Sequence, residues 1–523
     1  MPQKVLTLPI SDWGGGLNLN ADAFQLRDNE SPDLLNVDID PRGGFYLRDT
    51  ITAINTTVLA STPANVWTFS SSDSTVKHLL VQQGNDAAYS TGGNFTAINP
   101  DALATTGKMR GVTFKDKCYI QRNREQVAWE WDGTTATAMT DVHGTYNDDF
   151  AAPANNNEMP IARYIATWQN FLFHANTVES GTAKRSRVRF SHPNQPEDYR
   201  TNDWFDVSPD DGDEITALVP WKDRLLVFKN NSIHAVFGYD HNTFQQVLVS
   251  STVGAIGQEA IAVAEDGVYF FSWPEGVFRY NGKQVEDVFY PLRPLVDDNT
   301  IPAAYQSTIT LGWLRQRLWV AVPYASSTTP TRVLVFDPAT SKYGGWTMYD
   351  MALGPMLEWQ PPGSAATYIG CAAATGRVYK LHQTGVSDLL DGAASTTVTG
   401  YLRTRWYDLG NAALVKRWKR PRLVLDDDYS ATLRLDVFKD YDSHVLSRTS
   451  TLGITADSTG TLWNGSTWNG GVWTDGTLGS QAIDKGPLIG RATAVQLKLS
   501  SATTATKWGV NSLVLTYVPK RVR

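Results

Sequence analysis

What most limits the fold of this chain is a recurrence: a pair or triplet of short apolar strands returns roughly every 45 residues, each closed by Asn, Asp or Gly. "VWTFSSSDSTVKHLLVQQGNDAAYSTG" gives way to "MRGVTFKDKCYIQRNREQVAWEWDG", then to "IARYIATWQNFLFHAN" with "RVRFSHPNQPEDYR". "ITALVPWKDRLLVFKNNSIHAVFGYD" shows the unit in full: a strand, a turn at Lys222 and Asp223, an apolar strand, an Asn-Asn turn and a third strand. "AIAVAEDGVYFFSWPEGVFRYNGKQVEDV" and "ITLGWLRQRLWVAVPY" with "RVLVFDPATSKYGGWTMY" repeat it, and "TYIGCAAATGRVYKL" is the weakest copy. One small antiparallel sheet cannot bury both of its faces, whereas a ring of them packs each sheet on two neighbours and leaves only short edges. The spacing therefore predicts an all-β chain with a six- to seven-bladed β-propeller-like domain over residues 51–385. Trp168, Trp221, Trp313 and Phe114 would fill the gaps between blades.

The flanks read differently. Residues 1–50 contain "SDWGGGLNLN", whose glycines and alternating Leu and Asn suit an extended N-terminal arm without a blade of its own, docked on the propeller or on a neighbour. Beyond the small-residue linker "DLLDGAASTTVTG" the strands lengthen, and the strict alternation in "TLRLDVF" and "VQLKLS" predicts a C-terminal β-sandwich over residues 386–523.

Composition narrows the chemistry. The formal net charge is -7, so the whole molecule does not hold nucleic acid by its overall field, and DNA contact would need a local patch. The two cysteines, Cys118 and Cys371, give neither a disulfide framework nor a thiolate zinc site, which fits a chain made in a reducing cytoplasm. No apolar run reaches the ~18 residues of a spanning helix, and no secretory leader is expected. The eight histidines form no zinc-protease pair, and neither a nucleophile elbow nor a phosphate-cradling loop is present. No catalytic, cofactor-binding or metal residue set follows from the sequence, and the chain is expected not to be an enzyme. Asp210, Asp211, Asp213 and Glu214 crowd enough carboxylates for a weak cation loop but lack the alternating ligand order of one.

Two features suggest contacts instead. Arg403, Arg405, Lys416, Arg417, Lys419, Arg420 and Arg422 crowd two strands of the C-terminal region. They suit a solvated hairpin balanced by Asp426, Asp427 and Asp428, an acidic surface on a neighbouring subunit, or, third, exiting DNA. Trp463, Trp468 and Trp473 stand five residues apart on Asn-Gly and Gly-Gly turns, in "LWNGSTWNGGVWTDG". Turns in every interval point them to different sides, so they are expected to be buried against the C-terminal domain or an adjoining subunit. Trp13, in the arm, joins this set as a candidate subunit contact.

The opening "WGGGLNLNADAFQLRDNESPDLLNVDIDPRGGFYLRD", the internal "RVRFSHPNQPEDYR" and "ITALVPWKDRLLVFKNNSIHAVFG", and the final "SLVLTYVP" strand resemble the tail hub, or nozzle, proteins of short-tailed bacteriophages. The "WNGSTWNGGVW" segment has no counterpart in them. The resemblance implies a structural virion protein: a homo-hexameric ring below the portal or head–tail adaptor, beside tail fibre or needle proteins. Double-stranded DNA would be retained in its lumen and ejected through it without specific binding. It implies a place in the phage tail, assembly in the host cytoplasm and no membrane insertion. The competing reading is a carbohydrate- or receptor-binding module, adhesin or tail-spike-like, in which the tryptophans stack on sugar.

Overall fold

The computed structural model describes residues 5–98, 107–141, 158–240, 242–340, 345–391, 395–425, 431–454, 481–483, 486–502 and 507–519. Five four-stranded antiparallel sheets and two six-stranded sheets follow one another along the chain. Their first strands are Pro63–Ser70, Arg110–Phe114, Ile161–Trp168, Ile215–Trp221, Ile261–Val263, Thr310–Leu314 and Leu353–Trp359. Neighbouring sheets in this series touch, and the last touches the first, so the sheets close into a ring. These are the blades of a seven-bladed propeller, numbered one to seven in chain order, with the first strand of each lining the axis.

Two-residue turns join the first and second strands of blades two, three and six. Lys115 and Asp116, Gln169 and Asn170, and Arg315 and Gln316 all have positive φ, the backbone twist that a tight hairpin between twisted strands demands. The aromatics that end the inner strands bridge to neighbouring blades. Trp221 lies 5.7 Å from Tyr280 of blade five, Trp313 stacks at 5.5 Å on Tyr269, and Phe114 packs with Ile165 and Leu172 of blade three. Each such burial contributes a few kcal/mol, ~1.5–3 per large side chain.

Blade seven takes its fourth strand from the other end of the chain. Val378–Gln383 pairs antiparallel with Thr50–Ala53, so the ring is fastened by a strand that precedes blade one. Ser387–Leu389 then adds to the outer side of Thr50–Ala53, carrying this sheet past residue 385. Arg48, beside that strand, is buried against Asp388 at 2.6 Å and donates through Nε to Asn36.

The N-terminal residues thread through the rest of the molecule. Leu6–Ile10 pairs with Gly509–Pro519, and Gly16–Leu17 runs parallel to the outer strand of blade six. Asp33–Leu35 pairs with Tyr401–Arg403. Gly16, at φ 64°, lies so close to blade six that a Cβ would stand 2.4 Å from the carbonyl oxygen of Trp346. Glycine alone permits that approach.

After blade seven, the chain builds two further sheets. Tyr401–Arg403, Val495–Ser501, Ala431–Lys439 and Arg448–Ile454 form a five-stranded sheet with Asp33–Leu35. An eight-stranded sheet is organised on Gly509–Pro519. Leu433, Leu435, Leu497 and Leu499 of the first join Leu423, Leu425, Leu513 and Leu515 of the second in one apolar cluster, which continues through Trp13 and Phe45 to Trp346 and Phe271. Propeller and C-terminal sheets thus share a core.

Candidate functional site

Strand alternation decides which of the basic residues can meet another molecule. In Lys416–Trp418, Lys416 and Trp418 face inward and Arg417 outward. Lys416 is buried, its ammonium donating to the carbonyl oxygens of Asn411 and Thr493 at 2.6 and 2.8 Å. Burial lowers its pKa. Arg403 lies over the Phe438 ring at 5.2 Å. Arg405 donates to the carbonyl oxygen of Phe24 at 2.9 Å and meets Asp28 at 3.3 Å. These three cations hold the molecule's own parts together.

Arg417, Lys419, Arg420 and Arg422 are exposed. The sheet adds one that sequence reasoning missed: Arg491 stands directly opposite Arg417 across the strand pair, and it too is exposed. Like charges set opposite each other in a ladder destabilise it. Arg417, Lys419, Arg420 and Arg491 form no ion pair among the described residues. No sequence signal marks Arg491, because the pairing that brings it to Arg417 spans more than seventy residues.

The tryptophans divide. Trp13 is 1 % exposed and packs edge-on against Phe45 at 5.1 Å, so it belongs to the core and offers no surface to a subunit contact. Trp463, Trp468 and Trp473 lie outside the described residues, as do Asp426, Asp427 and Asp428. In the acidic turn, Asp211 takes the buried Lys229 ammonium at 2.7 Å, Asp213 accepts from Asn230 and Asn231, and Glu214 meets Arg163 at 3.1 Å. Asp211, Asp213 and Glu214 each already have a protein donor.

A second charged group, invisible in the sequence, occupies the propeller axis. Glu259, at the entry to blade five, has a buried side chain. It meets Arg110 of blade two at 2.8 Å, Lys108 at 3.3 Å and the Asn65 amide of blade one at 3.3 Å. Burial alone would raise its pKa, but Arg110 and Lys108 outweigh that and hold it at about 2. Next to it Gln258 exchanges two hydrogen bonds with the Leu218 backbone of blade four. Cavities of about 250 and 220 Å³ flank this knot, and both are lined by Arg110 and Glu259. Groups from four blades thus meet across the bore.

No protein-family model matches the chain, and no curated protein does. Solved structures similar to it include BamB from Moraxella catarrhalis, at 9 % identity and TM-score 0.38, covering 65 % of this chain and 98 % of that one. The Neurospora crassa Pan2 WD40 domain matches at 8 % identity and TM-score 0.40, covering 64 % and 97 %. The extracellular domain of BT4673 from B. thetaiotaomicron matches at 10 % identity and TM-score 0.41, covering 82 % and 58 %. The assignment of seven blades rests on the strand order and ring closure of this chain itself.

Proposed function

We propose that this chain is a ring-forming structural subunit of the kind that builds the tail hub, or nozzle, of short-tailed phages, with the exposed basic strand as a contact between copies. One observation carries the reading: Arg417 faces Arg491, with Lys419 and Arg420 alongside, and no described acid pairs with any of these four. Among the described residues of one chain nothing relieves that repulsion. A second copy of a chain with net charge -7 has acidic surface to relieve it. Since the basic strand and an acidic surface are different patches, the contact is head-to-tail, the type that closes into a ring. The knotted axis supports the same reading, because DNA would then pass through the lumen between six subunits and never through a propeller. Portal or adaptor above, and fibre or needle proteins beside or below, are the proposed neighbours.

The test replaces Arg417 and Arg420 together by Glu. Ring formation, read by light scattering and negative-stain images, should be lost. The melting temperature of the monomer should move by no more than about 2 °C, because exposed charges contribute only ~0–1 kcal/mol each. Rings that persist in this variant would return the residues to a solvated face. A wild-type monomer retained on a polysaccharide column would favour the receptor-binding alternative.

A further inference from the structure

The cavity of about 250 Å³ at the mouth of the propeller axis is lined by Lys108, Arg110 and Arg163 against a single carboxylate, Glu259. Tyr164, Asn123 and Ser307 add polar atoms to the wall. Every strand that contributes here does so near its first residues, so the groups converge on one end of the bore from blades two, three, five and six.

Among the described residues the charges do not balance locally. Glu259 is shared between Lys108 and Arg110. Arg163 turns one nitrogen to Glu214 at 3.1 Å, but Glu214 also faces Arg124 at 3.8 Å. Among the described residues the group therefore comprises four cations and two carboxylates, and the surplus positive charge lies on Lys108, Arg124 and Arg163, whose side chains keep a quarter to a third of their surface exposed. Arg110 is 8 % exposed. One of its terminal nitrogens reaches Glu259 and the other the Arg163 carbonyl oxygen at 3.1 Å, while its Nε is buried with no hydrogen-bond partner. The Tyr164 ring supports the guanidinium at 4.6 Å. A buried donor left without a partner is costly.

We propose that this mouth binds one small oxyanion, inorganic phosphate or a low-molecular-weight carboxylate, held by Lys108, Arg110 and Arg163. Charge-assisted hydrogen bonds from these donors supply the affinity, and a cavity of about 250 Å³ limits the ligand to a compact one. An anion there would tie blades two, three and five together at one end of the bore. The proposal stands apart from the ring reading, since it concerns the interior of one propeller.

The experiment titrates the full-length protein with inorganic phosphate and, separately, with malonate, against chloride at matched ionic strength. Binding is followed by ³¹P line broadening for phosphate and by the melting temperature for both. Phosphate also stabilises proteins generally through exclusion from their surfaces, so the deciding quantity is the difference between wild type and Lys108→Gln. Lys108 is one-third exposed, so its loss should spare the fold. Saturable broadening in wild type and an affinity about tenfold weaker in Lys108→Gln are expected, with a parallel loss in Arg163→Gln. A response to malonate exceeding that to phosphate identifies the carboxylate as the preferred form. No saturable broadening and no variant-dependent shift with either anion overturns the proposal, as does equal affinity in wild type and both variants.

Discussion

In the second strand of blade three, His174 is held neutral from both sides. The Tyr199 hydroxyl donates to the Pro196 carbonyl oxygen at 2.8 Å, which leaves it to accept from Nε2–H of His174 at 2.7 Å. Nδ1 then accepts from the Gln121 amide at 3.0 Å. Burial pushes the imidazole down to about 3. An unfolded chain would take up that proton near pH 6.5, so the stability this neutral ring confers is present above pH 6.5 and is lost as pH falls from 6.5 toward 3, at up to ~1.4 kcal/mol per pH unit. Urea midpoints between pH 7 and 5 should therefore fall less steeply for His174→Gln than for wild type; parallel slopes would show that another group sets the acid limit. Trp13 supplies the second prediction at this scale. Its full burial against Phe45 implies that Trp13→Ala costs about 3–5 kcal/mol in denaturant unfolding. A loss confined to oligomer formation would instead restore it to a subunit contact.

Among the elements, outer strands differ in how they are protected. Those of blades one, two, three and five are only two or three residues long, and the outer edges of blades six and seven are covered by strands from residues 16–17 and 387–389. Blade four ends in Gln245–Ser250, six residues without a charge, with Val247 and Leu248 half exposed. A bare, uncharged edge is a template for another strand. Val247→Lys should suppress nonspecific association of the purified protein at high concentration while shifting stability by less than ~0.5 kcal/mol; unchanged light scattering would show that this edge is silent. The blades themselves were legible in sequence, because each hairpin is local and its apolar strands alternate with polar turns. The turns at Lys115 and Asp116 and at Arg315 and Gln316 were not, since the two-residue hairpin imposes positive φ on Lys115, Arg315 and Gln316, which do not favour it.

At the scale of the molecule, legibility fails wherever partners are distant in the chain. The basic cluster was visible as composition, but only alternation and pairing separate Arg417 and Arg420, which face out, from Lys416, which does not. The axial group has no sequence signature at all, because Asn65, Lys108, Arg110, Arg163 and Glu259 come from four blades. The N-terminal residues read as an arm because their strands are two to five residues long and several of them pair with segments hundreds of residues away. That threading has a consequence in time. Thr50 bonds to Gln383, 333 residues later, and Leu6 pairs with Tyr517. At roughly 5–20 residues per second of synthesis, the first strands to leave the ribosome wait on the order of 20–60 s for blade seven and longer for the final strand. Through that interval the nascent chain is a row of blades with no closure, and any product that stops before Gly509–Pro519 keeps the sheet edges that this strand would have paired.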